Sequence, residues 1–303
     1  MPVRRNGVER KRGNRLGIWF FQTAARLTGL KGAYGLLYIV CTYYLLDLPL
    51  VRETLPYIRR RFPTHGPLRR LFDLYLLFVS QGKCLLDRFA ISAGYDGIGV
   101  DIVGYDRLGE LLTDDNRGFI LLTAHVGSWQ VAMSSLDRFD RDVYAMMRPE
   151  DNAAVREALE LGTDSERIRV ILTSGALGGV VEALQALESG ALVTIMGDRP
   201  YDFPSVGVQF LGGEVRFPHG AFTLAAAARC PVVVLLSAKV AAYRYVVDVS
   251  NIIPPPEKVR GRGNEAITAA VQRYARILQE YVETYPLQWF VFRDIWKERG
   301  GKS

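Results

Sequence analysis

His125 lies in the segment GFILLTAHVGSWQVAMSSL (residues 118–136), directly after an apolar run that ends in Thr123-Ala124. A neutral imidazole in such a place can take a proton from an attacking hydroxyl or amine. Gly127 permits a tight turn, Ser128 is a good helix N-cap and Trp129 opens a helical pattern, so His125 belongs just outside the carboxyl end of a strand. Open α/β sheets bind their ligands there. Three other segments bring reactive side chains to similar places. Met196-Gly197-Asp198-Arg199-Pro200 puts a carboxylate and a guanidinium at a second strand end. The run from Tyr144 ends a third in Arg148-Pro149, and Phe217-Pro218-His219-Gly220 precedes an alanine-rich helix, with Pro231 opening the next buried run.

Other chemistries find less support. A serine hydrolase of the α/β type needs a G-x-S-x-G elbow, and the chain has none. The glycines at 175, 178 and 179 lack the lysine of a phosphate loop and read as a strand–helix turn. Cys41, Cys84 and Cys230 are far apart and form no C-x-x-C pair, which argues against a zinc ribbon or a disulfide framework. His65, His125 and His219 have no carboxylates at ligand spacing, so no metal site is expected.

The elements that must carry these residues follow from periodicity. The first ~95 residues read as mostly helical. From about residue 97, short apolar runs alternate with amphipathic stretches. Strands are expected at Gly99–Val103, Phe119–Thr123, Val143–Met147, Arg169–Leu172, Leu192–Met196, Val206–Phe210, Val232–Ala238 and Tyr245–Val249. Helices are expected near 106–113, 129–137, 151–162, 177–189 and 219–229, then at 264–284, with a short aromatic helix at 287–297. Gly212-Gly213 reads as a hairpin turn. The pattern predicts an α/β class protein, a central mixed sheet covered by helices, with an N-terminal apolar helical membrane-associating region. The expected division is 1–95 for that region and 96–303 for the α/β core with its C-terminal helices.

Charge supports the division. The chain of 303 residues is 49% hydrophobic, too apolar for disorder, and carries a formal net charge of +6. Residues 1–70 hold 14 Lys and Arg against Glu9, Asp47 and Glu53, a net +11; the remaining 24 basic and 29 acidic residues net −5. A basic head on a mildly acidic body points to an anionic partner surface. The basic residues flank the apolar stretch 16–51, in which Gly32–Leu46 is uncharged over 15 residues. That falls short of the roughly 18–20 residues of a spanning helix, so a helix lying in or re-entering the interface fits better. Arg59–Arg61 and Arg69-Arg70 could extend the contact. A buried core helix with a solvated basic flank is the plainer alternative. No nucleic-acid-binding motif appears, and no small-residue cleavage site marks a signal peptide.

Taken together and in order, these blocks resemble the lysophospholipid acyltransferase superfamily, and within it the bacterial lipid A biosynthesis (lauroyl/myristoyl) branch. The resemblance rests on ERKRGNRLGIW near the N-terminus, HVGSWQ, YAMMRP, GDRP, the FLGG…RFPHGAFTLAA block and YPLQWFVF. It implies transfer of a fatty acyl group from an acyl-carrier-protein or coenzyme A thioester to a hydroxyl or amine of a lipid or lipid precursor. No cofactor would be needed. The expected location is the cytoplasmic face of the bacterial inner membrane, held peripherally or by a single N-terminal anchor. His125 would be the general base. Arg148 would bind phosphate or stabilise developing negative charge, with Arg199 and Arg216 in reserve for the same task. Phe217, Pro218 and Gly220 match a turn that helps to form the acceptor site, although His219 replaces the glutamate of glycerolipid members.

The leading motif of this branch reads H-x-G-N-W-E. Here Ser128 replaces the Asn, and Gln130 stands where the acid should be. A glutamine can accept the ring N–H but brings no charge. Three outcomes stay open: another acid takes the role, with Asp198 the best placed; the base works undercharged; or the chain is a catalytically weakened lipid-binding relative.

Overall fold

The structure, a computed structural model, describes residues 15–113, 117–134, 136–148, 168–173, 178–199, 203–257 and 263–297. Three helices come first: α1 (Arg15–Tyr44), α2 (Leu48–Arg61) and α3 (Pro67–Ser92). Gly29, at φ +70°, breaks the helical path within α1. Asp47 caps α2 by accepting the Leu50 N–H at 3.1 Å, and Pro67 opens α3, where its missing N–H costs nothing. α1 presents two stripes. Leu30, Ala33, Tyr34, Leu37 and Cys41 are buried, whereas Tyr38, Ile39, Tyr43 and, in the turn beyond, Leu46 face outward.

The body contains β1 (Gly99–Val103), α4 (Gly109–Thr113), β2 (Ile120–Thr123), α5 (Trp129–Ser134), β3 (Val143–Met147), β4 (Ile168–Leu172) and α6 (Val180–Glu188). It continues through β5 (Leu192–Met196), β6 (Ser205–Phe210), β7 (Gly213–Pro218), α7 (Gly220–Ala228), β8 (Val232–Ala241), β9 (Arg244–Ile253) and α8 (Gly263–Thr284). Seven strands form one mixed sheet in the order β1-β9-β8-β2-β5-β3-β4. The five from β8 to β4 are mutually parallel; β9 turns back antiparallel to β8, and β1 runs parallel to β9. β6 and β7 make a separate hairpin through Leu211 and Gly212, both at positive φ.

The near-continuous apolar runs of the central strands reflect burial on both faces. Alternate residues serve two cores. Ile120, Leu122, Val232 and Val234 pack toward α1, α3, α6, α7 and α8, while Phe119, Leu121, Val233 and Leu235 pack toward α5 and the 3₁₀ turns around Leu108 and Leu136. The expected mixed sheet covered by helices is therefore what forms. The strands fall within a few residues of their expected places. β7 is an added strand, and the expected helices 106–113 and 129–137 split into short α and 3₁₀ turns. The expected helix 151–162 lies outside the described residues, as do Pro149 and Pro200.

One expectation is overturned. Residues 287–297 are not a helix but an irregular segment of a turn, bends and a single bridge. Pro286 interrupts the helical path, and the backbone that follows bonds elsewhere. Gly127 N–H donates to Gln288 O at 2.9 Å, Phe290 N–H donates to His125 O at 2.8 Å, and Val126 and Trp289 form an antiparallel bridge.

The N-terminal helices share the main core with the sheet. A buried polar cluster also joins them. Asp87 of α3 accepts hydrogen bonds from Tyr34 of α1 and Tyr245 of β9 and pairs with Lys239 of β8, and all four side chains are buried or nearly so. Breaking such a pair from one side leaves a buried charge uncompensated. Among the described residues no single helix is long and apolar enough to cross a membrane; Leu27–Tyr44 and Leu48–Arg61 pass that test only as a pair bent by 103°.

Candidate active site

The sheet register assembles the site. β2 and β5 are adjacent and parallel, with Thr123 opposite Met196. His125 and Asp198 each follow by two residues and therefore emerge side by side at the carboxyl ends of their strands. His125 Nδ1 lies 2.7 Å from Asp198 Oδ1, and the His125 backbone N–H donates to Asp198 Oδ2 at 3.0 Å. Trp289 Nε1–H donates to the same Oδ2 at 2.9 Å. The Asp198 side chain is wholly buried, while that of His125 retains 23% exposure. Burial by itself raises a carboxyl pKa, but the His125 imidazole, its backbone N–H and the neighbouring Arg199 guanidinium overcome it and hold Asp198 well below the usual carboxylate range.

This arrangement fixes the imidazole. An ionised carboxylate only accepts hydrogen bonds, so Nδ1 carries the proton and Nε2 is the deprotonated nitrogen. The backbone beneath it is equally constrained. Gly127 adopts φ +51°, and a Cβ there would stand 2.1 Å from Ser237 O on β8. Ser237 Oγ accepts the Ser128 N–H at 3.1 Å and donates to Val126 O at 3.3 Å. Gly127→Ala is therefore expected to cost at least about 2 kcal/mol from left-handed strain plus the clash. Thermal melting of that variant should show the loss, and unchanged stability would contradict this reading of the turn.

The other residues singled out by sequence are spread differently. Arg148 directly follows β3, the parallel neighbour of β5, and so stands at the next strand end. Arg199 follows Asp198 and donates through Nη2 to Phe290 O at 2.7 Å. Gln130 is the second residue of α5; its side chain lies outside the described part of the structure. Arg216 is exposed on β7 and bonded to Ser205. Phe217 is buried, its ring 6.0 Å from that of Tyr274. Pro218 ends β7 and Gly220 opens α7, where His219 Nδ1 lies 2.9 Å from Thr223 Oγ1. The structure thus joins His125 and Asp198 directly, with Arg199 next in the chain and acting on Asp198 through its charge. It places Arg148 on the same rim, and Arg216 and Phe217 on the hairpin packed against α8. Nothing in the sequence marks Trp289 as a site residue, because its segment reads as a helix; Pro286 just before it is the one local signal against that helix. Among the described residues no three His, Cys, Asp or Glu cluster as metal ligands.

A mixed α/β sheet that carries a histidine–carboxylate pair at neighbouring strand ends is the scaffold of an α/β enzyme with a candidate proton-transfer site. The chain belongs to the bacterial lipid A biosynthesis acyltransferase family, whose model matches residues 96–298. It is accordingly an acyltransferase, and the family's chemistry is acyl transfer to a lipid. No curated protein matches the chain.

Proposed function

We propose that this chain is a membrane-associated acyltransferase that moves a fatty acyl group from an acyl-carrier-protein or coenzyme A thioester to a hydroxyl or amine of a lipid or lipid precursor, with His125 as general base. The observation that carries this reading is the 2.7 Å contact between His125 Nδ1 and the buried carboxylate of Asp198. Nε2 takes the proton of the acceptor as its oxygen or nitrogen attacks the thioester carbonyl. The tetrahedral adduct collapses, the C–S bond breaks, and the imidazolium returns the proton to the departing thiolate. Asp198 holds the ring and balances its transient charge. Arg148, on the same rim, offers a cation to a phosphate or to the developing oxyanion. Asp198 supplies the charge that Gln130 does not, which favours active catalysis over a weakened lipid-binding role.

The outward stripe of α1 supports contact with an anionic membrane. Ile39, Tyr43 and Leu46 are 70%, 70% and 74% exposed, and Leu68 at the start of α3 is 85% exposed. Arg59–Arg61 lie between these apolar patches in sequence, and Arg69 and Arg70 directly follow Leu68. An apolar stripe beside basic residues suits the headgroup boundary. The location proposed is the cytoplasmic face of the bacterial inner membrane.

The test is transfer by purified protein from a panel of acyl-carrier-protein and coenzyme A thioesters to lipid acceptors, beside His125→Ala. Transfer lost in the variant is expected; equal transfer by both proteins removes His125 as the base. In the same assay Gln130→Glu should leave the rate near that of the unsubstituted protein. A large gain would show that the pair lacks a charge that Asp198 fails to supply.

A further inference from the structure

Asp198 Oδ2 accepts two N–H groups, from the His125 backbone and from the Trp289 indole. Oδ1 is thereby left to the ring. Trp289 is itself wholly buried and wedged edge-on between other aromatic rings: Tyr57 at 5.0 Å and 82°, and Phe210 at 5.1 Å and 70°. Its backbone neighbours are tied to the histidine turn, since Gln288 O accepts from Gly127 and Phe290 N–H donates to His125 O. The Gln288 side chain clamps β8 through Lys239 N at 2.7 Å and Lys239 O at 2.8 Å. An indole so immobilised has one free function, its N–H, and it is aimed at the carboxylate.

We infer that Trp289 is a positioning residue for catalysis: its indole N–H occupies Asp198 Oδ2, stops the carboxylate from rotating, and so sets the tautomer and basicity of His125. This inference rests on the proposed role of His125. The groups that face Asp198 are His125 from the β2 turn, Arg199 from its own turn, Trp289, and Tyr274 of α8, which donates its hydroxyl to Thr123 O at 3.0 Å. Tyr274 is buried and held far above its ordinary pKa, first by burial and then by the Asp198 charge, so it stays neutral. The donor set around the carboxylate is therefore constant across the working pH range, apart from the imidazole itself.

Withdrawing the indole N–H leaves a more basic carboxylate that holds the imidazolium more tightly and orients it less well. Two substitutions separate the N–H from the ring. Trp289→Phe removes both the N–H and part of the packing. Benzothienylalanine at 289 keeps the outline and exchanges only N–H for sulfur. Both proteins should lose about tenfold to a hundredfold in kcat, the range for a hydrogen bond to a charged group. KM should stay nearly constant, and the acidic limb of the kcat profile should move to higher pH. Native kcat and pH profile in the benzothienylalanine protein would overturn the inference, and a loss confined to Trp289→Phe would assign Trp289 to packing alone. The downfield proton resonance of the His125 Nδ1–H provides a readout without turnover. It should shift in both variants and vanish in His125→Ala. A shifted resonance together with full activity of His125→Ala would defeat the base and leave the contact to Trp289 standing; an unshifted resonance would defeat the contact itself.

Discussion

Asp198→Asn should reduce acyl transfer by about 10⁴-fold without unfolding the protein, as the equivalent exchange does behind the histidine of a serine protease. The amide has one acceptor where the carboxylate has two. If that oxygen serves the His125 and Trp289 N–H groups now on Oδ2, the NH₂ group faces Nδ1 and forces the ring into the opposite tautomer. Nε2 then carries the proton and cannot remove another. His125→Ala should fall about as far, and the double variant hardly further, because residues that act as a unit are not additive. Measured kcat values for the three proteins check this. A multiplicative double variant would mean that the two side chains work separately.

The same substitution has a signature in stability. The folded carboxyl titrates below its ordinary value of 3.8, so its contribution is present above that pH and is lost as the pH falls below it. The stability gap between the native protein and Asp198→Asn should be full at neutral pH and close in acid below about pH 4. Melting curves across pH measure it, and a gap that widens in acid would contradict the assignment.

The second large effect concerns the membrane. Replacing Ile39, Tyr43 and Leu46 together by Ser should weaken binding to anionic vesicles by about 10³- to 10⁴-fold, since each removed side chain forfeits about 1.5–2 kcal/mol of burial. All three face outward, so the fold should persist. Flotation with anionic and neutral vesicles at low and high salt makes the measurement, and undiminished binding by the triple variant would remove the α1 stripe as the contact. Deleting residues 1–70 is a poor substitute, because it would also strip Leu50, Tyr57 and Ile58 from the core. The charge asymmetry between head and body predicts weaker binding at high salt.

Much of this arrangement is legible in the sequence, for physical reasons. Strands buried on both faces write themselves as apolar runs, and Thr123-Ala124-His125 and Met196-Gly197-Asp198 both mark the ends of such runs. What adjacency in sequence cannot show is that β2 and β5 are neighbours. That pairing is set by long-range packing, and only the Thr123–Met196 register makes His125 and Asp198 partners. Residues 287–297 misled because their aromatic spacing suits a helix equally well; the turn of β2 captures their backbone groups instead. The Asp87 cluster was invisible, since an aspartate in an amphipathic helix ordinarily faces water.

The bridge between Val126 and Trp289 also bears on how the protein becomes competent during its synthesis. The contacts that steady Asp198 come from a residue 91 positions later in the chain. A nascent chain that has already folded its five parallel strands still holds its acid by one bond fewer, so docking of the segment around Trp289 is expected to raise transfer by the same tenfold to hundredfold. Contacts so distant in sequence form slowly.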